Sequence, residues 1–227
     1  MRRRNLIAAV LATGIAPAAR GAEKPVVLEL FTSQGCSSCP PADALLGELA
    51  GQPGVIALAW HVDYWDNLGW RDRFASGIAT ARQRAYARQL GDIVYTPALV
   101  VDGSRMVVGS ERPSIEAAIR ATGSLPAAVT FSRSDGGLTA QIEDAGQKVL
   151  AQRIVYDPEQ ATEVGAGEND GQRLREYRIV REIETLAEWD GAARRLAVKP
   201  AGPGQGQVIL VQSADLRILG AADLRPG

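Results

Sequence analysis

Cys36 and Cys39 are the two cysteines of the chain, and they stand as C-x-x-C. A thiol pair at this spacing can open and close a disulfide, or offer two soft ligands to a metal. Structural zinc needs four ligands, and the chain has no second C-x-x-C and one histidine, His61. Zinc is therefore set aside. An inert disulfide would restrain the unfolded chain by only about 2 kcal/mol across so short a loop, against roughly 4.7 for a loop of 100 residues. Stability alone favours distant cysteines, so the spacing points to chemistry. His61 adds an alternative, since two sulfurs and an imidazole suit Cu(I), giving Cys36, Cys39 and His61 as a copper-binding or copper-delivery set. A histidine bonded to Asp63 or to a backbone carbonyl is the plain structural account of the same residue.

The elements that must hold the pair are legible around it. Val26 to Phe31 is an apolar run broken only by Glu29, as expected of a central strand covered on both faces. Pro41 to Ala50 carries a helical stripe at Ala42, Leu45, Leu46 and Leu49, closed by Gly51 and Pro53. A strand running into a helix gives Cys36 unpaired backbone N–H groups and the positive end of a dipole, both of which favour thiolate. Cys36 is thus expected to be the exposed nucleophile and Cys39 the resolving thiol one turn deeper. Pro40 and Pro41 suit the first helical turn, where their missing N–H groups go unmissed.

Downstream, Val55 to Trp60 reads as a buried strand. Phe74 to Leu90 reads as a helix with Ile78, Ala81, Ala85 and Leu90 inside, ended by Gly91. Ala98–Val101 and Met106–Val108 flank the hairpin signal Asp102-Gly103, and Ser114–Ala121 is a last helix. The predicted order up to Gly123 is β-α-β-α-β-β-α. After Pro126 short alternating runs take over, divided by turns such as Asp135-Gly136-Gly137, so residues 125–227 read as a mainly antiparallel β-sandwich following an α/β domain at 23–124. Within the second half, Thr185–Trp189 also fits a short helix, and Gly167-Glu168-Asn169-Asp170-Gly171 reads as a turn.

Composition bounds the function classes. Lys plus Arg number 25 and Asp plus Glu 26, with only four Trp, five Tyr and three Phe. Neither the charge nor the aromatic content suits a nucleic-acid grip. Arg2-Arg3-Arg4 before the run Leu6–Ala12 and the small residues around Ala16-Pro17-Ala18 form an export signal over residues 1–22, too short for a spanning helix. Export is expected to the periplasm, by the Sec route rather than the twin-arginine route that Arg3-Arg4 approximates. No second run of spanning length follows, so the mature chain is expected to be soluble. Near the second strand, Tyr64, Trp65 and Trp70 stand beside Arg71, Arg73, Arg82, Arg84 and Arg88. A solvated basic face and a substrate groove with aromatic walls are both open, with Tyr64 and Trp65 as candidate binding residues.

Strand, C-x-x-C, helix and then Tyr95-Thr96-Pro97 entering a later strand resemble the thioredoxin-like arrangement. More specifically, Phe31 through Asp43, His61-Val-Asp-Tyr-Trp-Asp66 with Gly69-Trp70, Arg82-Gln83 with Tyr86, and Tyr95-Thr-Pro97 resemble an exported bacterial thioredoxin-like family catalogued as domain of unknown function 1223. Gly167-Glu168-Asn169 extends the likeness into the second half, and Ala98 stands where that pattern leads one to expect glutamine. The C-x-x-C pair itself is read as exchanging with protein thiols or disulfides, with no required cofactor, and a binding module whose cysteines are a remnant is the non-catalytic alternative; the family supplies no established substrate. The resemblance implies that Pro97 is a cis-proline shaping the cleft and that Thr96 offers its backbone to a bound peptide. It also implies that Glu29, a buried strand acid, shuttles a proton for Cys39.

Overall fold

The computed structural model describes residues 25–226, so the export-signal reading of residues 1–22 lies outside the described residues. The first half follows the predicted order: β1 (Val26–Thr32), α1 (Pro40–Ala50), β2 (Val55–His61), α2 (Gly77–Leu90), β3 (Ala98–Val101), β4 (Arg105–Val108) and α3 (Arg112–Ala121). Then come β5 (Val129–Ser134), β6 (Gly137–Ile142), β7 (Val149–Glu163), β8 (Arg173–Trp189), β9 (Arg194–Val198), β10 (Gly206–Ser213) and β11 (Ile218–Leu224).

The expected division at residues 124 and 125 is not where the main sheet ends. Eight strands join in the order β11-β10-β7-β8-β2-β1-β3-β4, and the two halves meet where β2 pairs in parallel with β8 at Ala59 and Ile179. Two long strands make this junction. What read as separate short runs is one β7–β8 hairpin with arms of 15 and 17 residues, and Thr185–Trp189 is strand, paired back to Gln152–Val149. Alternation shows which residues form strands, but pairing between remote strands leaves no local mark. The sandwich character survives at one end only, where the separate sheet β5-β6-β9 packs its Val129, Leu138, Ala140, Leu196 and Val198 against Ala151, Ile209 and Val211 of the large sheet.

Around β1 and β2 the sheet is covered on both faces, which explains their unbroken apolar runs. One face carries Leu28, Leu30, Ala57 and Ala59 under α1 and α3; the other carries Val27, Phe31, Leu58 and Trp60 under α2. Gly47 lets β8 come close to α1: a Cβ there would lie 2.6 Å from the Tyr177 ring. The strand neighbour of Tyr177, Glu176, is buried.

Helix α2 begins later than expected and buries a different face. Ser76 caps it, its hydroxyl accepting from the Ala79 N–H, and Ala79, Thr80, Gln83, Tyr86 and Ala87 point inward while Ile78 is 57% exposed. The inner face includes polar residues because the fold supplies partners: Gln83 donates to the Tyr95 carbonyl at 2.6 Å, and the Tyr86 hydroxyl donates to Glu29. A stripe sought among apolar residues misses a face satisfied by hydrogen bonds.

Candidate functional site: the Cys36–Cys39 disulfide and its buried polar floor

Cys36 and Cys39 are joined as a disulfide with Cα atoms 5.4 Å apart. The chain leaves β1 through a turn in which the Cys36 N–H bonds the Ser33 carbonyl and the Cys39 N–H bonds that of Cys36. Cys39, rather than Cys36, is the N-cap of α1, with Pro40 and Pro41 in the first turn and the Ala42 and Asp43 N–H groups bonded to the Cys39 carbonyl. Fewer backbone donors are therefore free near Cys36 than the sequence suggested.

Cys36 is also not exposed. Both sulfur-bearing residues are fully buried, although Ser37 and Ser38 between them are exposed. The cover comes from the turn at 167–171, which does more than reverse the chain. Glu168 Oε2 accepts from the Ser37 N–H at 3.0 Å and from its hydroxyl at 2.7 Å. Asn169 Nδ2 donates to the carbonyls of Gln34 and Cys36 at 2.9 and 3.1 Å. These hydrogen bonds from Ser37 hold the Glu168 carboxyl below the usual carboxylate range. Gly167, at φ +78°, makes the sharp turn, and a Cβ there would lie 3.2 Å from Trp70 Cβ. This strap, 131 residues away in sequence, is tied down over the turn that bears Cys36.

Joined to the same turn through Gln34 is a buried polar cluster. His61 Nδ1 lies 2.6 Å from Asp72 Oδ2 and 3.9 Å from Glu176 Oε1. Asp72 also accepts from the Gln34 and Phe74 N–H groups, at 2.9 and 2.8 Å. The Gln34 amide donates to Glu176 at 2.9 Å and to Thr162 at 3.0 Å, and accepts from Trp70 Nε1 at 2.9 Å. Burial alone lowers the imidazole's pKa, but the Asp72 carboxylate, helped by Glu176 and Asp43, carries it up to about 9. Burial pushes Glu176 up, whereas His61 and the backbone donors keep Asp72 below the ordinary range. Asp43, on the first turn of α1, is pushed up to about 7 by burial, with His61 pulling the other way.

A family model described as "Protein of unknown function (DUF1223)" matches residues 27–212. The chain belongs to this family. Its structure is similar to the crystal structure of a structural-genomics target protein from Agrobacterium tumefaciens, at 30% identity and TM-score 0.77, covering 92% of this chain and 97% of that one. It is also similar to HBP35 of Porphyromonas gingivalis, at 19% identity and TM-score 0.58, covering 91% of this chain and 78% of that one; at this identity the likeness is one of fold alone. No match to a curated protein was found.

The other expected residues of this DUF1223 chain fall in three groups. The Thr96–Pro97 peptide is cis, and the Pro97 carbonyl accepts from the Gly109 N–H, beside which Leu30, Pro97 and Ala42 of α1 converge. Trp65 belongs with them: its Nε1 donates to Thr96 Oγ1 at 2.9 Å and its Cβ abuts Gly35, while Tyr64 lies against its ring. Glu29 does not serve Cys39. Arg82, on the opposite face of the sheet from α1, holds its carboxylate from Nε at 2.7 Å and Nη2 at 3.1 Å, and Tyr86 donates to it as well. Arg82 itself is no solvated surface charge, since its guanidinium lies within 5.0 Å of the Trp60 ring centroid and 5.2 Å of that of Tyr86. His61 turns to Asp72, neither to Asp63 nor into a three-ligand group with the two sulfurs. Among the described residues the cluster with ligand atoms mutually within 4.8 Å is His61, Asp72 and Glu176, where the imidazole already carries a proton at neutral pH. Among the described residues no helix is long and apolar enough to cross a membrane.

Asp43, Asp72, Glu176, Gln34, Glu168 and Asn169 went unmarked as site residues in the sequence. For Asp43 a signal existed. It lies three residues before Leu46, on the edge of the α1 stripe, where an acid must be buried.

Proposed function

We propose that this chain is an exported thiol–disulfide oxidoreductase of thioredoxin-like architecture, exchanging its Cys36–Cys39 disulfide with protein thiols or disulfides. The observation that carries this reading is the disulfide itself, set between the end of a central strand and the start of a helix, with the chain's other cysteine content nil. Supporting it, Trp65 stands against Gly35 of the turn that bears the pair and hydrogen-bonds Thr96, next to Pro97. Export, read from residues 1–22, accords with a disulfide that persists in an oxidising compartment.

In this reading a partner thiolate attacks Cys36, the Cys36–Cys39 bond breaks and Cys39 leaves as thiolate. Cys39, at the N-cap of α1, resolves the mixed disulfide in the opposite direction. Because Cys36 is closed over, the Glu168–Asn169 strap must lift from Ser37 before an attacking sulfur arrives in line. The test is catalysed reduction of a protein disulfide by dithiothreitol, and equilibration with glutathione, for the wild-type protein and Cys36→Ser. Turnover lost in the variant is expected. A wild-type disulfide that exchanges with neither reagent between pH 7 and 9 would end this assignment.

A further inference from the structure

The buried polar cluster contains three carboxyl groups and one imidazole. Asp43, His61, Asp72 and Glu176 are 5%, 2%, 2% and 1% exposed. Fully ionised, they would leave two uncompensated negative charges in a buried interior. The cost of isolating charge there ensures that protons stay instead. The hydrogen bonds indicate where. Asp72 accepts from three donors, His61 and the Gln34 and Phe74 N–H groups, and is the group best held as an anion. Glu176 accepts from Gln34 and, at 3.4 Å, from Thr162. Asp43 has only the Thr32 hydroxyl as a side-chain donor, and its Oδ1 is buried without a hydrogen-bond partner, as are Glu176 Oε1 and His61 Nε2 nearby. A buried carboxyl with so few donors is better neutral than charged.

Asp43 follows Cys39 by four residues, and its N–H bonds the Cys39 carbonyl at 3.1 Å. Helical side chains lean toward the N-terminus, so this carboxyl covers the turn that begins with Cys39. We propose that Asp43 is the group that exchanges a proton with the Cys39 sulfur, and that His61, Asp72 and Glu176 are positioning residues that keep that proton available. This rests on the oxidoreductase reading above and takes over the role that Glu29, bound to Arg82 and Tyr86, does not fill.

The step balances with a dithiol as reductant. A partner thiolate forms a bond to Cys36 sulfur, the Cys36–Cys39 bond breaks, and its electron pair goes to Cys39. The Asp43 carboxyl passes its proton to that sulfur and becomes a carboxylate. The partner's second thiolate then displaces Cys36, giving the partner's disulfide and a reduced pair. In reverse, Asp43 carboxylate takes the Cys39 proton as that sulfur attacks the mixed disulfide and expels the partner thiolate.

The charged groups facing Asp43 are His61 on β2, Asp72 after β2 and Glu176 on β8; β1 contributes only the neutral Thr32. The experiment is stopped-flow reduction of the intact oxidised protein by dithiothreitol from pH 5.5 to 8.5, each rate divided by the dithiothreitol thiolate present. For wild type, the corrected rate is expected to hold steady at low pH and to fall about tenfold per pH unit above an inflection near 7. Glu168 ionises below this range and His61 near 9, so neither supplies that inflection. Asp43→Asn should abolish it. Glu176→Gln, which removes a carboxylate that raises Asp43, should move it to lower pH, and this variant decides the matter if Asp43→Asn does not fold. An inflection unchanged in Asp43→Asn, or unmoved in Glu176→Gln where that variant decides, overturns the proposal. A moved inflection in a protein that turns over no protein disulfide retires the oxidoreductase reading alone and leaves the proton assignment standing.

Discussion

Replacing Asp72 with Asn should change how stability depends on pH, and the size of the change follows from His61. In the folded chain the imidazole, ordinarily near 6.5, is carried up to about 9 by the Asp72 carboxylate 2.6 Å away, against the pull of burial. Between those values the folded protein holds a proton that the unfolded chain has released. Stability therefore falls as pH rises, by about 1.4 kcal/mol per pH unit, or about 3 kcal/mol across the window as an order of magnitude. Below pH 6.5 the contribution is fully present. Against a total of about 5–15 kcal/mol for a typical domain, this loss is measurable. Asp43, also raised, loses its own contribution between about pH 4 and 7 and scarcely overlaps. Asp72→Asn removes both the charge and the acceptor that hold the proton, and burial then draws the imidazole back down. The assay is urea unfolding of the oxidised protein at constant ionic strength, in half-unit steps from pH 6.5 to 9. Wild-type stability should slope downward and that of Asp72→Asn should be nearly level, whatever its absolute value. Parallel slopes for the two proteins would refute the ion-pair argument.

Glu168→Gln keeps a hydrogen-bond acceptor over Ser37 but removes its charge, so the Cys36–Cys39 disulfide should be reduced faster by dithiothreitol at pH 7 than in wild type, with an unchanged urea midpoint. Tyr86→Phe removes a hydroxyl that donates to Glu29 and accepts from Gln212 and Arg82, at 2.5, 2.8 and 3.1 Å. Its loss should cost about 1–3 kcal/mol in denaturant unfolding without changing the rate at which the disulfide opens.

The parts of the molecule legible in the sequence are those fixed by neighbours along the chain. The apolar run ending at Phe31, the C-x-x-C and the stripe through Leu45 and Leu49 locate the disulfide between a strand and a helix because each signal is local. What Glu29 does depends on what stands across from it, and its partner Arg82 is 53 residues away on a helix whose arginines look alike in sequence. His61 has two aspartates within reach along the chain, and sequence does not choose between them: Asp63 bonds the Thr80 hydroxyl, while Asp72, at the far end of the loop, takes the imidazole. Glu176 and Asn169 lie more than 130 residues from their partners Gln34 and Cys36. Within their own strand and turn they resemble any surface acid and any turn asparagine. Periodicity reports burial of apolar atoms, and these polar groups are buried by pairing instead.

The parallel contact between β2 and β8 has a consequence for anyone who would treat the cysteine-bearing half as a transplantable module. A chain cut after residue 124 would lose Glu176 from beside His61 and Asn169 from above Cys36 together, along with the strand that borders β2. The fragment would keep its thiols but present an unzipped sheet border and an imidazole short of one counter-ion. Grafts and chimaeras of this protein should therefore carry both halves across as one inheritance.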